Sequence, residues 1–256
     1  MDKKFFIKHP LTLILTIFFS ASIASQAFLE EVIVSAEKRL ESVQDVSQAV
    51  TAITSSEIET KNINSMVDLS AIVPGVTVAK NEGYKTIISI RGIGNETNQN
   101  AIAAPSVAFH LDGVFIASPF SLLTDFVDID RIEVIRGPQG TLFGQNSTAG
   151  AINVVTKAPS LDEESSSLSM SLGNYNMKKI SSTFNVPISE SVATSFSFAG
   201  HKRDGYSFNT ILEQELDDAN DFSFRNDWYF QLSDTSSLRI FGQYYDLDRN
   251  CLLYTS

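Results

Sequence analysis

Cysteine is almost absent: Cys251 stands alone among 256 residues, so no disulfide can close within the chain. Histidine is nearly as scarce, and His9, His110 and His201 lie far apart at no spacing that suits zinc. Positive charge is short as well, with 19 Lys plus Arg against 30 Asp plus Glu and a formal charge of -11. So acidic a chain repels phosphate backbones, which argues against nucleic acid as a partner. Apolar runs are brief; none reaches the ~20 residues a helix needs to cross a bilayer.

The usual catalytic signatures are missing too. Gly137, Gly140 and Gly144 are followed by no Lys-Ser or Lys-Thr, Gly92-Ile93-Gly94 has no third glycine at dinucleotide spacing, and no Gly-x-Ser-x-Gly elbow occurs. The carboxylates Asp125, Asp128, Asp130 and Glu133, and the acidic run Glu213, Glu215, Asp217, Asp218 and Asp221, read as solvated loops rather than acid–base or calcium sites. The expectation is a protein that is no enzyme and holds neither cofactor nor metal.

What is present begins with a secretion signal. Lys3, Lys4 and Lys8 precede an apolar stretch at 11–19, and Ser25 and Ala27 place small residues where a signal peptidase looks. Cleavage is expected after Ala27. The product would be periplasmic, secreted or a barrel of the outer membrane.

From Ser165 onward apolar and polar residues alternate with the period of a strand. Leu168, Met170 and Leu172 share one face, as do Ile180, Phe184 and Val186, then Val192, Phe196 and Phe198, then Phe222, Phe224, Trp228, Phe230 and Leu232, and finally Leu238, Ile240 and Tyr244. That makes about five amphipathic strands, each near the ~9–11 residues that cross a bilayer when tilted. Tight turns are expected at 187–191 and 233–237 and a long acidic loop at 202–221, the asymmetry of membrane barrels. A water-soluble sandwich also alternates, but it buries its apolar face. Five strands cannot close, and an open edge in lipid leaves backbone groups unpaired, so the chain reads as a fragment.

Between signal and strands lies a small α+β domain. Residues 48–54 read as a strand; Thr54 with Glu57 and Ser65 with Asp68 read as capping boxes opening two short helices, the second closed by Pro74-Gly75. Strands are expected at 76–79, 86–91, 131–136 and 151–156, with 107–111 and 114–116 paired through Asp112-Gly113, all completing one small sheet.

"LEEVIVSAEKR", "QDVSQAVTAIT", "LSAIVPGVTV", "IRGIG", "VAFHLDGVFI" and "DIDRIEVIRGPQGTLFGQNSTAGAINVVTK" follow one another in an order that resembles the landmarks of TonB-dependent outer-membrane receptors. The resemblance is dense over 30–159 and extends to "RDGYSFN" at 203–209. It implies a signal peptide at 1–27, a TonB box and linker at 28–46, an α+β plug domain at 47–159, and at 160–250 the first antiparallel strands of a transmembrane β-barrel. About 22 strands would complete such a barrel. The tail at 251–256 breaks the alternation and reads as a non-native ending.

The resemblance further implies partners and sites. The box would be Glu31, Val32, Ile33, Val34, Ser35 and Ala36, with Ser35 where Thr is more usual, gripped by TonB and its inner-membrane energising complex. A short apolar strand can add to another protein's sheet edge, which gives the box a physical basis. The polar loop of Asn95, Glu96, Thr97, Asn98, Gln99 and Asn100 is the candidate apical ligand site. Arg131, Glu133 and Arg136 are expected to pair with one another or to fasten the plug to the barrel wall, and the glycines of 137–150 to permit tight turns and close packing. The cargo implied is a scarce solute, a ferric siderophore or other iron complex first, with carbohydrate or vitamin as alternatives, carried across a Gram-negative outer membrane whose lipid surrounds the barrel. A periplasmic or surface binding module with a plug-like fold and no transport is the competing reading.

Overall fold

The computed structural model describes residues 32–35, 41–61, 63, 65–81, 85–94, 105–117 and 127–250. The signal, Glu31 and Ala36 of the box, the loop 95–104 and the tail 251–256 lie outside the described residues.

The N-terminal domain is built by local signals. Strand β1 (Ile33–Val34) pairs with β2 (Glu41–Ser42), and β3 (Ala49–Thr54) runs into helix α1 (Ser55–Thr60). Thr54 caps α1 reciprocally: its hydroxyl accepts from the Glu57 N–H, and the Glu57 carboxylate accepts from the Thr54 N–H, both at 3.4 Å. Asp68 likewise accepts from the Ser65 N–H at 2.8 Å, opening a 3-10 turn (Met66–Asp68) that leads into α2 (Leu69–Ile72). Next come β4 (Val76–Asn81), β5 (Lys85–Ile90), β6 (Ile93–Gly94), β7 (Val107–Leu111), β8 (Val114–Phe115), β9 (Ile129–Arg136), α3 (Gly140–Phe143) and β10 (Gly150–Thr156). Asp112 and Gly113 both take positive φ, 50° and 78°, as a two-residue hairpin turn requires.

One small sheet was expected; its strands divide between two sheets, beside the separate β1–β2 pair. The main one has the order β3-β9-β10-β7-β8, with β10 parallel to β7 and every other pair antiparallel, while β4-β5-β6 forms a separate antiparallel sheet. Alternation gives the main sheet two faces. Ile132, Val134, Ile152, Val154 and Phe109 bury one against α1, α2 and the second sheet; Ala108, Ile135 and Ala151 form the other, covered by Val34 and Phe143. Gly150 (φ 150°) sits where β9 and β10 pair, and a Cβ there would strike the Ile135 carbonyl.

The C-terminal half is a single antiparallel sheet, β11 (Ser165–Gly173), β12 (Met177–Ser189), β13 (Val192–Arg203), β16 (Ala219–Ser233) and β17 (Ser236–Asp248), in that order. The five expected strands are present, and all but the nine-residue β11 run longer than expected. Only residues 190–191 and 234–235 turn at one end, because Pro187 and Gln231 lie within strands that absorb them through register shifts. At the other end the acidic loop folds its own hairpin, β14 (Ser207–Asn209) with β15 (Gln214–Leu216). Asp217 there accepts from the Ser207 hydroxyl and the Arg203 guanidinium donates to the Asp217 carbonyl.

The burial of this sheet is reversed. Leu168, Met170, Leu172, Ile180, Phe184, Leu238 and Ile240 are exposed, Leu172 at 79%, whereas Ser195, Ser197, Ser223, Arg225 and Asp227 are buried. A soluble sandwich would do the opposite; an apolar outer face with a polar inner one is what a barrel in lipid presents.

Candidate functional site

Two buried polar clusters organise the described residues. The first holds the N-terminal strand. Val34 is fully buried on the face formed by Ala108, Ile135 and Ala151. Ser35, beside it, donates from its N–H to Glu133 Oε1 at 2.8 Å and from its hydroxyl to both carboxylate oxygens at 3.0 Å. Arg131 Nε donates to the same Oε1 at 2.8 Å, and Asn153 Nδ2 donates to Oε2 at 3.1 Å and to the Ser35 hydroxyl at 3.3 Å. Glu133 and Asn153 stand opposite each other across the β9–β10 pair, which brings their side chains together on one face. Glu133 has no exposed surface, yet both oxygens of its carboxylate accept hydrogen bonds, as a buried charge demands.

Of Arg131, Glu133 and Arg136, expected to pair with one another or with the barrel wall, two pair with each other and the third bonds elsewhere in the same domain. Arg131 and Glu133 pair with each other, and Arg131 also bonds Asp130 at 2.6 Å. Arg136 donates to Thr51 Oγ1 at 2.8 Å and to the Pro74 carbonyl at 3.3 Å. These bonds stay inside the N-terminal domain because β9 is an inner strand, covered on both faces by the domain's own residues. Among the described residues, none of the three hydrogen-bonds to β11, β12, β13, β16 or β17, and the alternative that is seen is the pairing of Arg131 with Glu133.

Fastening falls to a second cluster that the sequence reading did not single out. Asp112, in the β7–β8 turn, accepts from the Thr156 N–H and hydroxyl through Oδ1 and from Arg225 Nη2 through Oδ2, at 2.8, 3.0 and 2.8 Å. Arg225 also meets Asp227 at 3.0 Å and lies 4.1 Å over the Phe241 ring. Arg239 grips Asp227 at 2.6 Å and reaches across to the Thr156 hydroxyl at 2.7 Å and the Lys157 carbonyl at 2.9 Å. Two guanidinium groups and two carboxylates thus interlock the end of β10 with β16 and β17. Their charges cancel, so no net charge is buried. A signal was available: Arg225 and Asp227 are opposite charges two apart on the polar face of one strand, and Arg239 shares that face on the next. Beyond this cluster Asn185 pins the connecting segment, accepting from the Ser160 N–H at 2.9 Å and donating to the Glu163 carbonyl at 2.7 Å. A polar cavity of 320 Å³ separates α1 from Ser167, Ser169 and Ser181 of the sheet, with Asp128 and Lys157 at its edge.

Residues 42–151 match the family model described as the TonB-dependent Receptor Plug Domain. That stretch is a plug domain of the TonB-dependent receptor family. It is 26% identical over 189 residues to the vitamin B12 transporter BtuB of Vibrio vulnificus (strain YJ016), covering 73% of this chain and 30% of that relative. To the iron-regulated outer membrane virulence protein of Vibrio cholerae serotype O1 (strain O395) it is 31% identical, over 57% of this chain and 23% of the relative. Among solved structures, the ferric yersiniabactin uptake receptor FyuA from Yersinia pestis superposes with a TM-score of 0.68 at 19% identity, covering 77% of this chain and 31% of that one. The ferripyoverdine receptor of Pseudomonas aeruginosa gives 0.69 at 18%, covering 84% and 27%. The chain therefore spans less than a third of the length of these relatives. Receptors of this family lie in the Gram-negative outer membrane, and the plug of this chain packs on the polar, lumenal face of its barrel strands.

Proposed function

We propose that the protein is a TonB-dependent active transporter of a scarce solute, a ferric siderophore or another iron complex, across the outer membrane. The observation that carries this reading is the separate docking of 32–35 on the plug: a short strand, paired over only two residues with β2, ends at Ser35 on a buried carboxylate. Such a strand can leave without dismantling the main sheet, and once free it can add to the edge of TonB's sheet. Pulling it transmits force from the inner-membrane energising complex to a plug that Arg225 and Arg239 tie to the wall, close to the docked strand through Asn153, which bonds both Ser35 and the Gly113 N–H. The box reading thus concerns Val32, Ile33, Val34 and Ser35, flanked by Glu31 and Ala36. The polar loop of Asn95, Glu96, Thr97, Asn98, Gln99 and Asn100 remains the proposed apical contact for the ligand.

A non-transporting binding module fits less well, because it would hold Leu168, Met170, Leu172 and Ile240 against water. Vitamin uptake is the second reading, favoured by the relative named a vitamin B12 transporter. A deletion strain is expected to lose growth on one or more ferric chelates as sole iron source, with the purified receptor binding the same chelate. Loss of cobalamin-dependent growth with iron use intact would transfer the assignment to the vitamin.

A further inference from the structure

We infer that Glu133 is the latch that holds the TonB box docked, and that its release is the step with which the partner's grip competes. The inference rests on the box reading above and adds to it the group that sets how often the box is free. Adding a strand to a sheet edge uses the backbone N–H groups of the added segment. The Ser35 N–H is committed to Glu133 Oε1 and the Val34 side chain is fully buried on the plug, so a partner that takes this segment into its own sheet must first free it from both. Docked and gripped are therefore alternative states.

The surroundings of Glu133 suit a latch that opens. When 32–35 departs, the carboxylate loses the Ser35 N–H and hydroxyl but keeps Arg131 at 2.8 Å and Asn153 at 3.1 Å. A buried carboxylate left bare would be costly enough to weld the box in place. One that retains its guanidinium and amide partners gives up only the bonds to Ser35. Arg131 and Asn153 are positioning residues here: they aim the carboxylate at the box and stay behind with it. The undocked fraction then scales the partner's apparent affinity, since only the free box can be bound.

The test uses the full-length receptor in outer-membrane vesicles without ligand. Two quantities are read: hydrogen exchange of the peptide covering 32–35, and affinity for the TonB C-terminal domain. Glu133→Gln is expected to speed exchange there and to tighten TonB binding, each about tenfold, the size of one lost charge-assisted hydrogen bond. Ser35→Ala should move both in the same direction by less, and Ser35→Thr, which keeps both donors, should restore wild-type values. A general loosening of the plug would instead speed exchange in β9 and β10 as well, and that result counts against the latch. If Glu133→Gln does not assemble, Ser35→Ala against Ser35→Thr decides alone. Val34→Pro separates the two layers. If it leaves TonB binding intact, the box reading fails; if it abolishes binding while the latch variants behave as wild type, only the latch fails.

Discussion

The plug and the barrel strands use the same period-two alternation and bury opposite faces of it. In the plug, Ile132, Val134, Ile152 and Val154 have no exposed surface, and chain polarity is pushed outward or onto paired groups such as Glu133 with Arg131. In the five-stranded sheet the apolar residues Leu168, Met170, Leu172 and Ile240 look outward, and the buried side chains include Ser195, Ser197, Ser223, Arg225 and Asp227 beside small alanines. Alternation alone therefore fixes a strand's two faces but not which one is the core. The solvent on the far side decides that: water outside the one, hydrocarbon outside the other.

The largest effect should come from the polar face of the sheet, where charge replaces hydrocarbon as the packed interior. Asp227 is 1% exposed and holds both Arg225 and Arg239. Asp227→Ala leaves two guanidinium groups short of a partner and should cost about 3–5 kcal/mol, matching or exceeding the ~2–5 kcal/mol of Ile152→Ala in the plug core. Urea unfolding of the two variants side by side checks this. A wild-type midpoint for Asp227→Ala would mean that the inner face of the sheet is not a core at all.

The unequal legibility of the two regions follows from the same physics. Elements whose determinants are local were readable: the Thr54–Glu57 and Ser65–Asp68 boxes, the Asp112-Gly113 turn, and the strand period from Ser165 onward. What could not be read is who pairs with whom at a distance. Glu133 meets Ser35 98 residues away, and Arg225 meets Asp112 113 residues away, contacts that no propensity or spacing encodes. The separate β4-β5-β6 sheet and the parallel β10–β7 pair were missed for that reason. The resemblance to the receptor family supplied the expected box at 31–36 and the expectation that Arg131, Glu133 and Arg136 pair with one another or with the wall; Arg131 and Glu133 do pair, while the contacts of Arg225 and Arg239 with the plug were not anticipated.

The outward face offers the next test. Ile240, opposite Trp228 and 54% exposed, lies well inside β17. Ile240→Arg should cost about 2–4 kcal/mol when the receptor folds into phospholipid vesicles. The same change on a water-facing strand would stay within about 0.5 kcal/mol. Folding equilibria across a lipid titration distinguish these, and a value near zero would return the sheet to the soluble class.

The smallest effect sits where the two regions meet. Burial pushes the Asp128 carboxyl above its ordinary range, against the pull of Lys157, Arg225 and Arg239. A carboxylate whose folded value is raised stabilises most below its unfolded value, about 3.9, and that contribution is lost as the pH climbs through the folded one. At neutral pH its ionisation therefore works against the fold. Asp128 also has a φ of 55°, a conformation that asparagine tolerates as well as aspartate does. Asp128→Asn should consequently raise the urea midpoint at about pH 7, and the gain should shrink as the pH falls, reaching zero only well below the unfolded value of about 3.9, where the aspartate is protonated in both states. A loss of stability at neutral pH would show instead that the pull of the three cations outweighs burial, and that the plug is held here by charge, as it is at Asp112.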